Sequence, residues 1–130
     1  MPDKVEYWLS LCDEDMSVAD LLLKGNKYLQ AGFFCHLVAE KALKAVISNS
    51  SDDPPPKVHK LKTLADKCGI FDDLSEEQLA LLDELDPLNI EARYPEYKES
   101  IAKTLTKERT ERIYMETEGF LCWIKKGLGR

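Results

Sequence analysis

The stretch Ala31-Gly32-Phe33-Phe34-Cys35-His36-Leu37-Val38-Ala39-Glu40-Lys41-Ala42-Leu43-Lys44-Ala45-Val46-Ile47 decides the fold. Within it Ala31, Cys35, Val38, Ala42 and Ala45 stand 4, 3, 4 and 3 residues apart, the spacing of a seam packed between helices. The small residues along that seam allow close approach. A helix that is apolar nearly all round is normally buried, yet Glu40, Lys41 and Lys44 put three charges in its middle. Each must be paired, reach water along its stem, or serve a site. The pattern predicts a helix over Lys27 to Asn49. Gly32 costs about 1 kcal/mol relative to alanine, which allows a start nearer Phe33.

Outward from this segment the helical period recurs. Val5, Trp8, Leu9, Cys12, Met16, Ala19, Leu22 and Leu23 form one face of a helix from Lys4 to Lys24, with Asp13, Glu14, Asp15 and Asp20 on the other and Gly25-Asn26 as its stop. Ser48 to Lys57, containing Asn49-Ser50-Ser51-Asp52-Asp53-Pro54-Pro55-Pro56, reads as a surface loop, extended by its prolines. Leu61, Leu64, Ala65 and Cys68 mark a short helix ended by Gly69. Ser75-Glu76-Glu77-Gln78 is a capping box opening another, which Pro87 closes. Leu88 to Tyr97 reads as irregular or a short helical turn. A last helix is predicted from Glu99 or Thr104 to Lys126. No strand is predicted. The expected fold is all-α: one domain over residues 1–130, an antiparallel up-and-down bundle of about four major helices plus a short one.

Length and composition fit that expectation. A chain of 130 residues with 44% apolar content can build one core, and 24 acidic against 18 basic residues argue against coating nucleic acid by bulk charge. Asp72 to Glu91 carries eight of the acids and no base, which reads as a solvated helix face or as a docking surface for a basic partner. Cys12, Cys35, Cys68 and Cys122 form no CxxC pair. Three lie among apolar residues at helical spacing, and the set reads as core thiols. With no apolar signal segment and no run approaching the ~20 residues of a membrane span, a cytoplasmic protein is expected.

The chemistry-bearing residues are few. Glu40 and Lys44 are four apart with the acid first, the favoured order for an intrahelical pair, and His36 stands one turn before Glu40. His36 with Glu40 lacks a third ligand, and no metal is expected. His59 follows the Pro-rich loop and reads as a structural residue or a polar pocket lining. Ala92-Arg93-Tyr94-Pro95-Glu96-Tyr97 sets a guanidinium and two phenols in one turn, suited to gripping a phosphate or stacking a base. Gly-rich phosphate loops and nucleophile elbows are absent.

Taken together, Gly32 to Ala45, His59 with Leu61 and Leu64, Ala92-Arg93-Tyr94-Pro95, and Asp20 in Ala19-Asp20-Leu21-Leu22 resemble the HEPN domain family over almost the whole chain. The resemblance implies a helical bundle, often dimeric, encoded beside small nucleotidyltransferases or in toxin–antitoxin systems, that binds nucleotides or RNA. Many members are metal-independent ribonucleases with a motif of Arg, a polar residue, three to five further residues and His. Arg93 matches the arginine, but the histidine positions hold Lys98, Glu99 and Ser100, and Tyr94-Pro95 departs from the polar residue.

The resemblance therefore implies a homodimeric binding protein without assigned catalytic residues or cofactor. Lys41, Lys44 and Arg93 would contact phosphate, Tyr94 would stack, His59 would line the rim, and Glu40 would orient the lysines. A nucleotide or RNA ligand and a nucleotidyltransferase partner are expected. The alternatives are a ribonuclease using Arg93 with an unorthodox base, and a purely structural interaction module.

Overall fold

A computed structural model describes residues 3–91 and 94–130. The described residues form six α-helices: α1 (Lys4–Lys24), α2 (Tyr28–Ser50), α3 (Leu61–Lys67), α4 (Glu76–Leu85), α5 (Pro95–Thr104) and α6 (Lys107–Gly127), with 3-10 turns at Phe71–Asp73 and Asp86–Leu88. No described residue lies in a strand. The bundle is all-α, as the sequence periodicity requires.

α1 begins where the Asp3 side chain accepts the Glu6 N–H. It ends at Gly25, and Asn26 takes the left-handed conformation (φ 61°) that turns the chain back. This tight turn lays α1 antiparallel to α2. Lys41 of α2 meets Asp15, and Lys44, a turn further on, lies over Trp8, about two turns earlier in α1. α6 also runs antiparallel to α1, tied by Lys125 to Asp13 and by Arg130 to Asp3 and Glu6. The predicted seam of α2, Ala31, Cys35, Val38, Ala42 and Ala45, is buried along its length and is the spine of the core.

Two local features depart from the sequence reading, the division of the last helix and the burial of only two cysteines. The single last helix is two. Pro95 occupies the first turn of α5, where its missing N–H costs nothing, and Thr106 breaks the chain and caps α6 by accepting the Arg109 N–H. α2 keeps the predicted Lys27–Asn49 span within a residue at each end, so Gly32 lies inside it, and its bare backbone accommodates Leu88 and Leu105. Of the cysteines, Cys12 and Cys35 are core thiols, Cys68 is half-buried and Cys122 is exposed on α6.

The acidic block is more than a solvated face. Glu84 receives Arg109 at 3.0 Å and Arg112 at 2.7 Å, joining α4 to α6, and the Arg112 guanidinium holds its carboxyl below the ordinary range. Asp83 pairs with Lys62, and Asp86 Oδ1 accepts the Leu61 N–H at the start of α3. Among the described residues no helix is long and apolar enough to cross a membrane.

A Cβ on Gly32 would meet Leu88 Cδ1 at 3.2 Å and Leu105 Cδ1 at 3.4 Å. Gly32→Val is therefore expected to lower stability by about 1–3 kcal/mol in urea unfolding, through overpacking between α2 and the chain at Leu88 and Leu105. Wild-type stability in that variant would contradict this packing.

Candidate ligand-binding site

Because α2 is buried on most sides, its Glu40 carboxylate is nearly cut off from water and must find partners inside the protein. It finds two. Oε2 accepts from Lys44 Nζ at 3.0 Å, the pair expected from i,i+4 spacing, and Oε1 accepts from His59 Nδ1 at 3.0 Å, across the Pro-rich loop. Lys44 is buried as well, with Nζ 5.8 Å from the centre of the Trp8 ring, so its charge is met by a carboxylate and an aromatic face.

The chain at His59 is held twice more. Its carbonyl lies 3.3 Å from His36 Nε2, and the next helix begins two residues later with its first N–H on Asp86. Carbonyl and carboxylate oxygens only accept, so the two imidazoles carry their protons on opposite nitrogens: Nε2 in His36, Nδ1 in His59. The His59 side chain is 62% exposed, and in the neutral ring its Nε2 is a lone pair. A recess of about 190 Å³ opens between His59, Lys60, Asp86 and Asn89.

His36 has no such freedom. Its ring is fully buried, and Nδ1 has no hydrogen-bond partner, lying 3.9 Å from Glu40 Oε1. Burial lowers the pKa of this imidazole from 6.5, and the nearby Glu40 charge opposes that without reversing it. The neighbouring Cys35 thiol is pushed up to about 12 by burial, so the adjacent cysteine and histidine do not make an activated nucleophile.

Of the residues singled out in the sequence, Glu40, Lys44 and His59 are brought together. Lys41 points elsewhere, onto Asp15 of α1 at 2.6 Å. Tyr94 precedes α5 and is 81% exposed, while Arg93 lies outside the described residues. The sequence reading missed Lys60, Asp86 and Asn89 in the recess, and Trp8 and Asp15 as partners of the two lysines. Asp86 caps a helix remote in sequence, and no local pattern announces such a contact. Among the described residues no three His, Cys, Asp or Glu side chains converge to hold a metal ion.

The family model for the HEPN domain matches residues 5–128, from the first core residue of α1 to the end of α6. The chain belongs to the HEPN domain family. No curated protein and no solved structure matches it. HEPN domains have nucleotide- and RNA-related functions and often pair with nucleotidyltransferases. In this HEPN domain the helix carrying Glu40 and His59, two residues before α3, meet at one buried carboxylate.

The lowered pKa of His36 has a definite sign. Between its folded value and 6.5 the unfolded chain binds a proton that the folded chain refuses, so stability falls as pH drops below about 6.5, by at most about 1.4 kcal/mol per pH unit. Urea unfolding at about pH 7 and about pH 5.5 is expected to show this loss. The loss should be smaller in His36→Gln, whose amide can still donate to the His59 carbonyl. An equal loss in both proteins would contradict the assignment.

Proposed function

We propose that this HEPN domain binds a nucleotide or an RNA end at the His59 recess, as a homodimer acting with a nucleotidyltransferase partner or within a toxin–antitoxin system. The observation that carries the reading is the Glu40–His59 contact beside an open recess. It presents an oriented imidazole, the Lys60 ammonium and the Asp86 carboxylate at one spot. In the sequence, Arg93 and Tyr94 follow Asn89 of the same recess by four and five residues. Arg93 grips phosphate in a forked, charge-assisted contact, exposed Tyr94 stacks on the base, and His59 lines the rim.

Lys44 is held by the Glu40 carboxylate behind His59 and Lys41 is turned away onto Asp15, so neither is assigned to phosphate in this reading. Reversing Lys44 would set two carboxylates side by side in a buried place, so its effect on binding could not be separated from unfolding. The clean variants are Arg93→Ala and His59→Ala.

A second reading is favoured by the same geometry. With Nδ1 held by Glu40, His59 Nε2 can accept the proton of an RNA 2′-hydroxyl as that oxygen bonds to phosphorus and the bond from phosphorus to the 5′-oxygen breaks. The leaving oxygen takes a proton from water, and Arg93 stabilises the charge that develops on the phosphoryl oxygens. Such an enzyme would cleave RNA without the family's usual histidine.

Fluorescence anisotropy with labelled oligoribonucleotides, and calorimetry with mononucleotides, are expected to show binding that Arg93→Ala weakens about tenfold to a hundredfold, the cost of a lost charge-assisted contact. His59→Ala should weaken it less. Unchanged affinity in both variants would overturn the binding reading. RNA cleavage lost in both would establish the second, and no cleavage above these controls would reject it.

A further inference from the structure

A second cavity, of about 470 Å³, lies where the C-terminal ends of α2 and α6 meet the 3-10 turn at Phe71–Asp73. It shares no lining residue with the His59 recess. Its volume falls in the range of small-molecule sites, about 300–1,000 Å³, and its walls have their usual make-up: a mostly apolar surface with a few polar groups.

One lining residue is Trp123, whose ring stacks against buried Phe120 with centroids 6.2 Å apart and planes 28° from parallel. That contact holds one indole face steady, while Val46 and Ile70 flank the space. Asn49, Asp73 and Lys126 supply the polar groups, and among the described residues none of their side chains has a hydrogen-bond or ion-pair partner. Two other cations of the C-terminal segment are engaged. Lys125 is paired with Asp13, and Arg130 with Asp3 and Glu6. Asp73 and Lys126 border one void, carry opposite signs, and do not close on each other.

We propose that this cavity binds a small aromatic zwitterion, of the class of an aromatic amino acid. Its ammonium meets Asp73, its carboxylate meets Lys126, its ring lies on Trp123, and the Asn49 amide serves either polar end. A purely cationic or purely anionic ligand would engage one of the two charges, whereas a zwitterion engages both. A ring is favoured over a branched chain because a flat, fixed indole offers its largest contact to another flat group. Both charged side chains are exposed, so each ion pair is weak and binding is in the millimolar range.

The chain has two tryptophans, Trp8 and Trp123, so its two indole N–H resonances report the two sites separately once Trp8→Phe assigns them. Titration of the wild-type protein with L-phenylalanine to about 20 mM is expected to move the Trp123 resonance saturably and leave that of Trp8 in place. Asp73→Asn and Lys126→Gln should each weaken binding by about threefold to fivefold. Phenethylamine, which lacks the carboxylate, should respond to Asp73→Asn and not to Lys126→Gln. The proposal is overturned by the absence of a saturable shift, by equal shifts at both indoles, or by wild-type affinity in both charge variants.

Discussion

The buried carboxylate of Glu40 is the constraint on which the rest of the site depends. An ionised group in the core of a bundle must be compensated, and α2 alone supplies one partner, Lys44. The other oxygen reaches outside the helix for His59, and this one contact fixes where the Pro-rich loop ends and α3 begins. Charge compensation in the core thus becomes position at the surface: the imidazole is held on one side and presented to solvent on the other. Buried pairs of this kind add little net stability compared with apolar packing. Their value here lies in specifying one arrangement of loop and helix, since any other arrangement strands a carboxylate.

Much of the fold was legible in the chain. The spacing of Ala31, Cys35, Val38, Ala42 and Ala45 identified the spine, and Ser75 with Gln78 identified the start of α4, because both signals are local and repeat at the helical period. The break between α5 and α6 was not read, although Pro95 and Thr106 carry its chemistry. Apolar residues on both sides kept the period running across it. In the site, Glu40 with Lys44 followed from spacing. Glu40 with His59 did not, since 19 residues and a loop separate them and only the packed bundle sets that distance. The lysine assignments failed to anticipate Asp15 and Trp8 for the same reason: a helix face has no labelled partner until its neighbour is placed.

Membership of the HEPN family and the geometry of this chain bear on function from different sides. The family supplies the class of ligand, nucleotide or RNA. The chain itself lacks histidine at Lys98, Glu99 and Ser100, where the family's ribonuclease motif would need it, yet carries a different histidine with a carboxylate behind it. Orientation by a carboxylate serves recognition and proton transfer alike, because both need a fixed lone pair. What separates them is the phosphate group's position relative to that lone pair.

The most direct test of this account is the tautomeric state of the two histidines, read from long-range proton–nitrogen couplings in a nitrogen-15 spectrum of the free protein above pH 7. The hub at Glu40 requires His59 to carry its proton on Nδ1 and His36 to carry its own on Nε2. A His59 ring protonated on Nε2, or averaging as a free imidazole does, would show that the carboxylate does not hold it and would contradict the account.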